Sequence, residues 1–163
     1  MKPQPMTPGE FLPYKSLKQI LAAKPSAVHT VAPDTPIFTA LNLMAEKNVG
    51  AVVVLEAEKI VGVFSERDYA RKVVLAGKTS KDTPVREVMT TKVICISLED
   101  DAPHCMTLMT EKRIRHLPVV EGDRLIGIVS IGDIVKEVLS HHERLIHDLA
   151  LERMTFLNQP SGY

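Results

Sequence analysis

The stretch Gly62-Val63-Phe64-Ser65-Glu66-Arg67-Asp68 returns as Gly127-Ile128-Val129-Ser130-Ile131-Gly132-Asp133, and this recurrence decides the fold. Each copy ends an apolar run and opens a helical pattern, so Ser65 and Ser130 stand at a strand-to-helix turn, three residues ahead of an Asp. A helix N-terminus attracts anions. A serine hydroxyl there can donate to a phosphate oxygen, while the acceptor-only carboxylates of Asp68 and Asp133 suit a pair of donor hydroxyls such as those of a ribose. Phosphate beside a diol points to a nucleotide. Ser and Asp also cap helices without any ligand, which both residue types favour. The second copy at the same place weighs toward the ligand.

Working outward, Gly62 to Gly127 sets an offset of 65 residues that holds without a gap from Val28 to about Val73. Under it Leu43-Met44 falls on Leu108-Met109, Glu46-Lys47 on Glu111-Lys112, Val54 on Val119 and Val73 on Val138. A register this long marks a duplication. Each copy predicts a short strand (Val28 to Val31, Val93 to Ile96), then a helix. The first helix is expected to open at Thr35-Pro36 and shows Ile37, Ala40, Leu41 and Met44 on one face; the second starts at Glu99-Asp100-Asp101. Two strands joined by a tight turn follow, Ala51 to Leu55 with Ile60 to Phe64, and Leu117 to Val120 with Leu125 to Val129. A closing helix runs from Glu66 to Leu75 and from about Gly132 onward.

The unit is β-α-β-β-α, twice, an α+β fold whose two repeats pack sheet to sheet with pseudo-twofold symmetry, because one repeat leaves a sheet face uncovered. The expected divisions are a Pro-rich arm over residues 1–15, a first repeat over 16–76, a linker over 77–84, a second repeat over 85–140 and a helical extension over 141–163. Ser16 to Ala23 predicts a short helix, and Val85 to Met89 resembles it as the lead-in to the second repeat. In the last helix Val135, Val138, Leu145, Leu149 and Phe156 lie near heptad spacing, with His142 and Glu152 interrupting, which predicts a helical contact with a second subunit.

Composition narrows the function. The 163 residues carry 20 Lys plus Arg against 20 Asp plus Glu, so no global field recruits nucleic acid or a membrane surface. Cys95 and Cys105 have no CxxC or zinc spacing and suit a reducing cytosol. The N-terminus lacks a signal-peptide core and no apolar run reaches about 18 residues, so a cytoplasmic location is expected. Gly127 and Gly132 are followed by Asp133-Ile134 where a phosphate loop requires Lys-Ser/Thr. His142 and His147 are five residues apart, not four, and face different ways on a helix. No catalytic triad or paired-carboxylate arrangement can be argued from residue order.

These residues resemble the CBS domain family, and the tandem resembles a CBS pair or Bateman module over roughly residues 16 to 140. The motifs are the two Gly-to-Asp stretches and the strand entry Ile114-Arg115-His116-Leu117-Pro118-Val119-Val120. The resemblance implies two clefts between the repeats, each able to take an adenine nucleotide, in a regulatory module without catalysis that pairs into a homodimer. It implies ribose contacts from Asp68 and Asp133 and phosphate contacts from Ser65 and Ser130. The adenine slot falls on Thr30, Val31, Ala51, Val52 and Val53 in repeat one and on Cys95, Ile96, His116, Leu117 and Pro118 in repeat two. Arg115 and His116 stand where energy-sensing relatives point a basic residue at phosphates. Two sites are expected, one anchored by Asp133, Ser130 and Arg115, the other by Asp68, Ser65 and Arg67. Val53 stands where repeat two has Pro118, a departure from the family pattern. AMP is the expected ligand, with ADP or ATP also fitting; NAD or S-adenosylmethionine in the same cleft, a nucleotide-processing enzyme and a purely structural dimer module are the alternatives. The effector protein is not named by the sequence.

Overall fold

The computed structural model describes residues 13–24 and 28–157; most of the expected N-terminal arm and the last six residues lie outside that range. In repeat one the apolar runs become strands β2 (Ala51–Glu56) and β3 (Lys59–Ser65), antiparallel from Ala51 opposite Ser65 to Glu56 opposite Lys59. Strand β1 (Thr30–Val31) adds a parallel edge through Thr30 opposite Val53. Repeat two copies the hairpin at the same offset: β4 (His116–Glu121) and β5 (Arg124–Ser130) pair from His116 opposite Ser130 to Glu121 opposite Arg124. Even the register shift is repeated, after Val54 and after Val119.

The expected strand Val93 to Ile96 is the exception. Only Ile96 bridges the sheet: its N–H donates to Pro118 O, and its own carbonyl accepts from Val120 N–H. The Val93 N–H turns back to Thr91 O at 3.0 Å, a γ-turn that lifts the segment off the sheet.

The long helices are α2 (Ile37–Lys47) and α4 (Ala102–Lys112), each ending on a left-handed residue, Asn48 at φ 52° and Arg113 at φ 54°. Helix α4 opens on Asp101, whose carboxylate accepts the His104 N–H at 2.9 Å, as its acidic start predicts. Helix α2 departs from expectation. Pro36 is the cap residue itself, and Thr35 Oγ1 accepts from Ala32 N–H instead. The first free amides are taken by the linker, with Ile37 N–H donating to Thr83 O at 3.0 Å and Phe38 N–H to Ser80 O at 2.8 Å.

After β3 the chain enters α3 (Glu66–Asp68), which widens into a π-turn over Tyr69–Val74. After β5 it enters α5, a single helix over Ile131–Leu157. Strands β3 and β5 meet across the interface between repeats.

The cores are crossed relative to chain order. Helix α1 (Leu17–Ala22), capped by Ser16 and Gln19, precedes repeat one but sends Leu17, Ile20 and Leu21 into the core of repeat two with Cys105, Leu117, Val129 and Ile134. The Val85 to Met89 segment is a single 3₁₀ turn at Val85–Glu87, not a full helix, and packs Val85, Val88 and Met89 into repeat one with Ile37, Val52, Phe64 and Val73. Gly62 and Gly127 admit this crossing. A Cβ on Gly127 would lie 2.7 Å from Leu21 Cδ1, and one on Gly62 would lie 2.5 Å from Met89 Sδ.

Helix α5 buries Ile134, Glu137 and His141. Glu137 accepts from Lys15 N–H and from Arg144, both at 2.9 Å, and Tyr14 stacks on His141 with ring centroids 3.8 Å apart. The expected seam is modified. Val138 and Leu145 are half-buried, while the free stripe runs through Val135, Leu139, Ile146, Leu149 and Phe156, from 41% to 79% exposed. These lie at alternating four- and three-residue spacing, with His142 and Arg153 filling the remaining positions.

Replacing Gly127 by Ala drives a methyl into Leu21 and is expected to cost about 1–3 kcal/mol of stability, the usual range for overpacking. Urea unfolding of Gly127→Ala beside the parent, with Leu21→Ala/Gly127→Ala as the relieving double change, measures it.

Candidate functional site

Ser65 and Asp68 form a reciprocal cap at the start of α3. The Ser65 N–H and Oγ–H donate to Asp68 Oδ2 at 3.0 and 2.7 Å, and the Asp68 N–H donates back to Ser65 Oγ at 3.2 Å. The sequence places both residues here because strand β3 ends at Ser65 and the helix needs donors satisfied within one turn. Asp68 Oδ1 faces the other way, where it accepts from Thr90 Oγ1 at 3.1 Å and pairs with Lys72 Nζ at 2.7 Å. Ser130 and Asp133 repeat the cap at 2.8, 3.0 and 3.3 Å. Here the cation is Lys24, whose Nζ lies 2.6 Å from Asp133 Oδ2 and also donates to Ile128 O at 3.0 Å.

Around Asp68 the two repeats enclose a cleft of about 360 Å³, within the size range of small-ligand pockets. Repeat one contributes Gly50, Val63, Ser65, Glu66, Arg67, Asp68, Arg71 and Lys72. The segment joining the repeats contributes Thr90, Lys92, Val93 and Ile94, and repeat two contributes Lys112, Arg113, Ile114, Arg115, His116 and Pro118. Seven cations therefore converge with two carboxylates in a chain of zero net charge. The arginines lead onward: Arg67, Arg71, Arg113 and Arg115 also line an adjoining, more open hollow of about 510 Å³, floored by Met109, Ile114 and Ile131. Arg67 is oriented by donating to Arg113 O at 2.6 Å.

The grouping expected from sequence is corrected at one point. Arg115 lines the cleft with Asp68, Ser65 and Arg67 and not one with Asp133 and Ser130, while His116 lines the same cleft and lies opposite Ser130 in the β4–β5 pair. Of the expected adenine slot in repeat two, His116 and Pro118 line the cleft, whereas Leu117 and Ile96 are core residues and Cys95 is exposed. The γ-turn at Thr91 presents Val93 and Ile94 in their place. In repeat one Ala51, Val52 and Val53 are buried, Val31 is half-buried and Thr30 is exposed.

Sequence reasoning missed Arg71, Lys72, Thr90, Lys92, Lys112 and Arg113. For Arg71 and Lys72 a signal existed, since they stand three and four residues after Asp68 on one helical face. For Thr90 and Lys92 none did, because their approach depends on the crossing of segments.

Electrostatics follow burial. For Asp133, burial works to raise the pKa, but the hydrogen bonds from Lys24 and Ser130 and the Lys24 charge outweigh it and hold the carboxyl below its usual value. For Glu137, burial is likewise outweighed, by Lys15 N–H and Arg144. His116 is lowered, first by burial; Glu66 and Asp133 oppose that, and Lys24 and Arg115 add to it, so the ring is neutral at pH 7. A Cβ at Gly50 would lie 3.3 Å from His116 Nε2, so the glycine leaves room for this ring. Burial and the neighbouring Asp100 and Asp101 raise the Cys105 thiol to about 11, which leaves it protonated. Among the described residues no group of three or more His, Cys, Asp or Glu gathers as a metal site.

A duplicated α+β unit with a ligand-sized, cation-rich cleft between its copies defines a two-repeat ligand-cleft module. The CBS domain family model matches residues 20–75 and 85–140, and the chain belongs to that family as a tandem CBS pair. It is 40% identical over 121 residues to the mitochondrial CBS domain-containing protein CBSX3 of Arabidopsis thaliana, covering 71% of this chain and 59% of that one, so it spans under two thirds of that relative. A CBS-domain protein of Agrobacterium tumefaciens shares 38% identity at a TM-score of 0.71, covering 75% of this chain and 98% of that one. A CBS domain pair solved in complex with 5′-methylthioadenosine and S-adenosyl-L-methionine shares 26% identity at a TM-score of 0.66, covering 76% and 95%. Among the described residues no helix is long and apolar enough to cross a membrane.

Both depressed carboxyls give stability that is complete above their ordinary values, 3.8 and 4.5, and is lost as pH falls through their lower folded values. Thermal melts are therefore expected to weaken as pH drops below about 4. Asp133→Asn should flatten part of that acid limb and leave melts between pH 6 and 8 with no new slope.

Proposed function

We propose that this CBS pair is a non-catalytic, cytoplasmic sensor that binds adenosine nucleotides between its repeats and alters its pairing or its surface for an effector protein. The observation that carries this is the convergence of Ser65, Asp68 and seven cations in one cleft between the repeats. The Asp68 carboxylate is the acceptor for ribose hydroxyls once an internal partner yields its place, apolar Val63, Val93, Ile94 and Pro118 offer walls for a base, and the arginines offer bidentate partners for phosphates. AMP fits the inner cleft, and further phosphates of ADP or ATP reach toward the adjoining arginine-lined hollow. The same charge disfavours S-adenosylmethionine, whose sulfonium is positive; NAD carries phosphates and shares the adenosine end. Occupancy acts only through unequal affinity for two states of the module.

A thermal-shift and calorimetric panel of AMP, ADP, ATP, NAD and S-adenosylmethionine tests the reading. Binding by the phosphate-bearing adenosine compounds is expected. Asp68→Ala should lose about 2–3 kcal/mol of binding, the scale of hydrogen bonds to a charged group, and about 0.5–2 kcal/mol of stability with the lost cap, so binding is compared at a temperature where melts show the variant folded. No binding by any of them to nucleotide-free protein would return the chain to a structural role, and hydrolysis of ATP abolished by Asp68→Ala would make it an enzyme.

The proposed homodimer pairs along the exposed stripe of α5, whose alternating four- and three-residue spacing is that of a two-helix seam. Sedimentation of Ile146→Glu should then show a shift from dimer to monomer with the melting curve of the monomeric domain retained.

A further inference from the structure

Asp68 enters the cleft with its acceptors already filled. A carboxylate offers about four acceptor positions. Oδ2 accepts from the Ser65 N–H and Oγ–H, and Oδ1 accepts from the Thr90 hydroxyl and is covered by the Lys72 ammonium as an ion pair. Lys72 is equally engaged, since its ammonium has three donors. Two of them go to Val88 O at 2.9 Å and Thr90 Oγ1 at 3.2 Å, and the ammonium lies 2.7 Å from Asp68 Oδ1 as an ion pair. A vicinal diol therefore cannot reach this carboxylate unless a donor leaves. The Ser65 pair is fixed by the backbone of the cap. On Oδ1 the Thr90 hydroxyl can rotate, and Lys72, on a flexible stem, has a side chain 42% exposed beside the 11% of Asp68.

We propose that Lys72 is a displaceable internal ligand of Asp68: the ribose of an adenosine ligand takes over Oδ1, and the released ammonium turns to that ligand's phosphate. This rests on the nucleotide reading above and gives it a rule of discrimination. A neutral nucleoside must expel Lys72 without offering it a new anion, whereas a nucleotide brings the anion with it. Release also breaks the ties of Lys72 to Val88 and Thr90, the segment that joins the two repeats, so occupancy is transmitted to the crossing point. Repeat two lacks the device. Glu137 stands 65 residues after Lys72, held by Lys15 and Arg144, and Lys24 meets Asp133 on Oδ2, the oxygen that Ser130 already uses. Among the described residues, Asp133 Oδ1 has no donor.

Calorimetric titration with adenosine and with AMP, on the parent and on Lys72→Met and Lys72→Gln, tests it, with Asp133→Asn added throughout so that the Asp68 cleft reports alone. Both substitutions keep an aliphatic stem, and circular dichroism melts establish that they fold. Adenosine is expected to bind Lys72→Met roughly two- to fivefold tighter, the scale of a partly exposed ion pair removed as competitor. The preference for AMP over adenosine should shrink, with Lys72→Gln between the two. Unchanged or weaker adenosine binding to Lys72→Met, in a parent that binds both compounds, overturns the exchange and leaves the nucleotide reading standing. If the parent binds neither compound, with or without Asp133→Asn, both readings fall together.

Discussion

The structure depends on the crossing of two lead-in segments over two glycines. Leu21 lies against Gly127 and Met89 against Gly62 so closely that neither position has room for a Cβ. Each repeat thus closes its core with residues that precede the other repeat, and neither core is complete from its own stretch of chain. Burial of large aliphatic side chains contributes roughly 1.5–3 kcal/mol each, so Leu17, Ile20, Val85 and Val88 tie each repeat to the segment that precedes the other.

The cleft is a consequence of that weld. Packing Met89 on β3 carries Thr90 to the backbone of Val63, where the two exchange hydrogen bonds of 2.8 and 3.0 Å, and sets its hydroxyl on Asp68. The next residues turn off the sheet and line the interface with Lys92, Val93 and Ile94. At the other lead-in, Leu21 on Gly127 places Lys24 on Asp133. The two halves therefore hold their matching carboxylates with different lysines, one from the π-turn that follows the cap and one from the segment after α1. Symmetry of the backbone coexists with asymmetry of the chemistry, because the position of Lys72 is held by Glu137 in the second copy.

Charge is organised on the same principle. A chain with no net charge concentrates cations where repeat one and repeat two meet, and partly buried charges interact more strongly than solvated ones. Arg67 and Arg71 project from one repeat and Arg113 and Arg115 from the other, so an anion bound among them would bridge both halves. Arg113 holds its place through a left-handed backbone at the end of α4, which turns the chain into β4 within three residues.

The sequence alone determined the duplication, the two hairpins and the helices that flank them, because these rest on local periodicity, and it placed Ser65, Asp68, Ser130 and Asp133 at the strand-to-helix turns where they form caps. In the structure the same offset of 65 residues relates the hairpin registers and the left-handed residues Asn48 and Arg113. Only the tertiary structure decided which residues share a cleft. Arg115 joins Asp68, Val93 and Ile94 replace Cys95 and Ile96, and Lys72 and Thr90 fill the carboxylate. Those pairings come from the crossing of segments and from a γ-turn that takes a predicted strand off its sheet. Contacts between residues distant in the chain follow how side-chain volumes fit, and no pattern along the sequence records that fit.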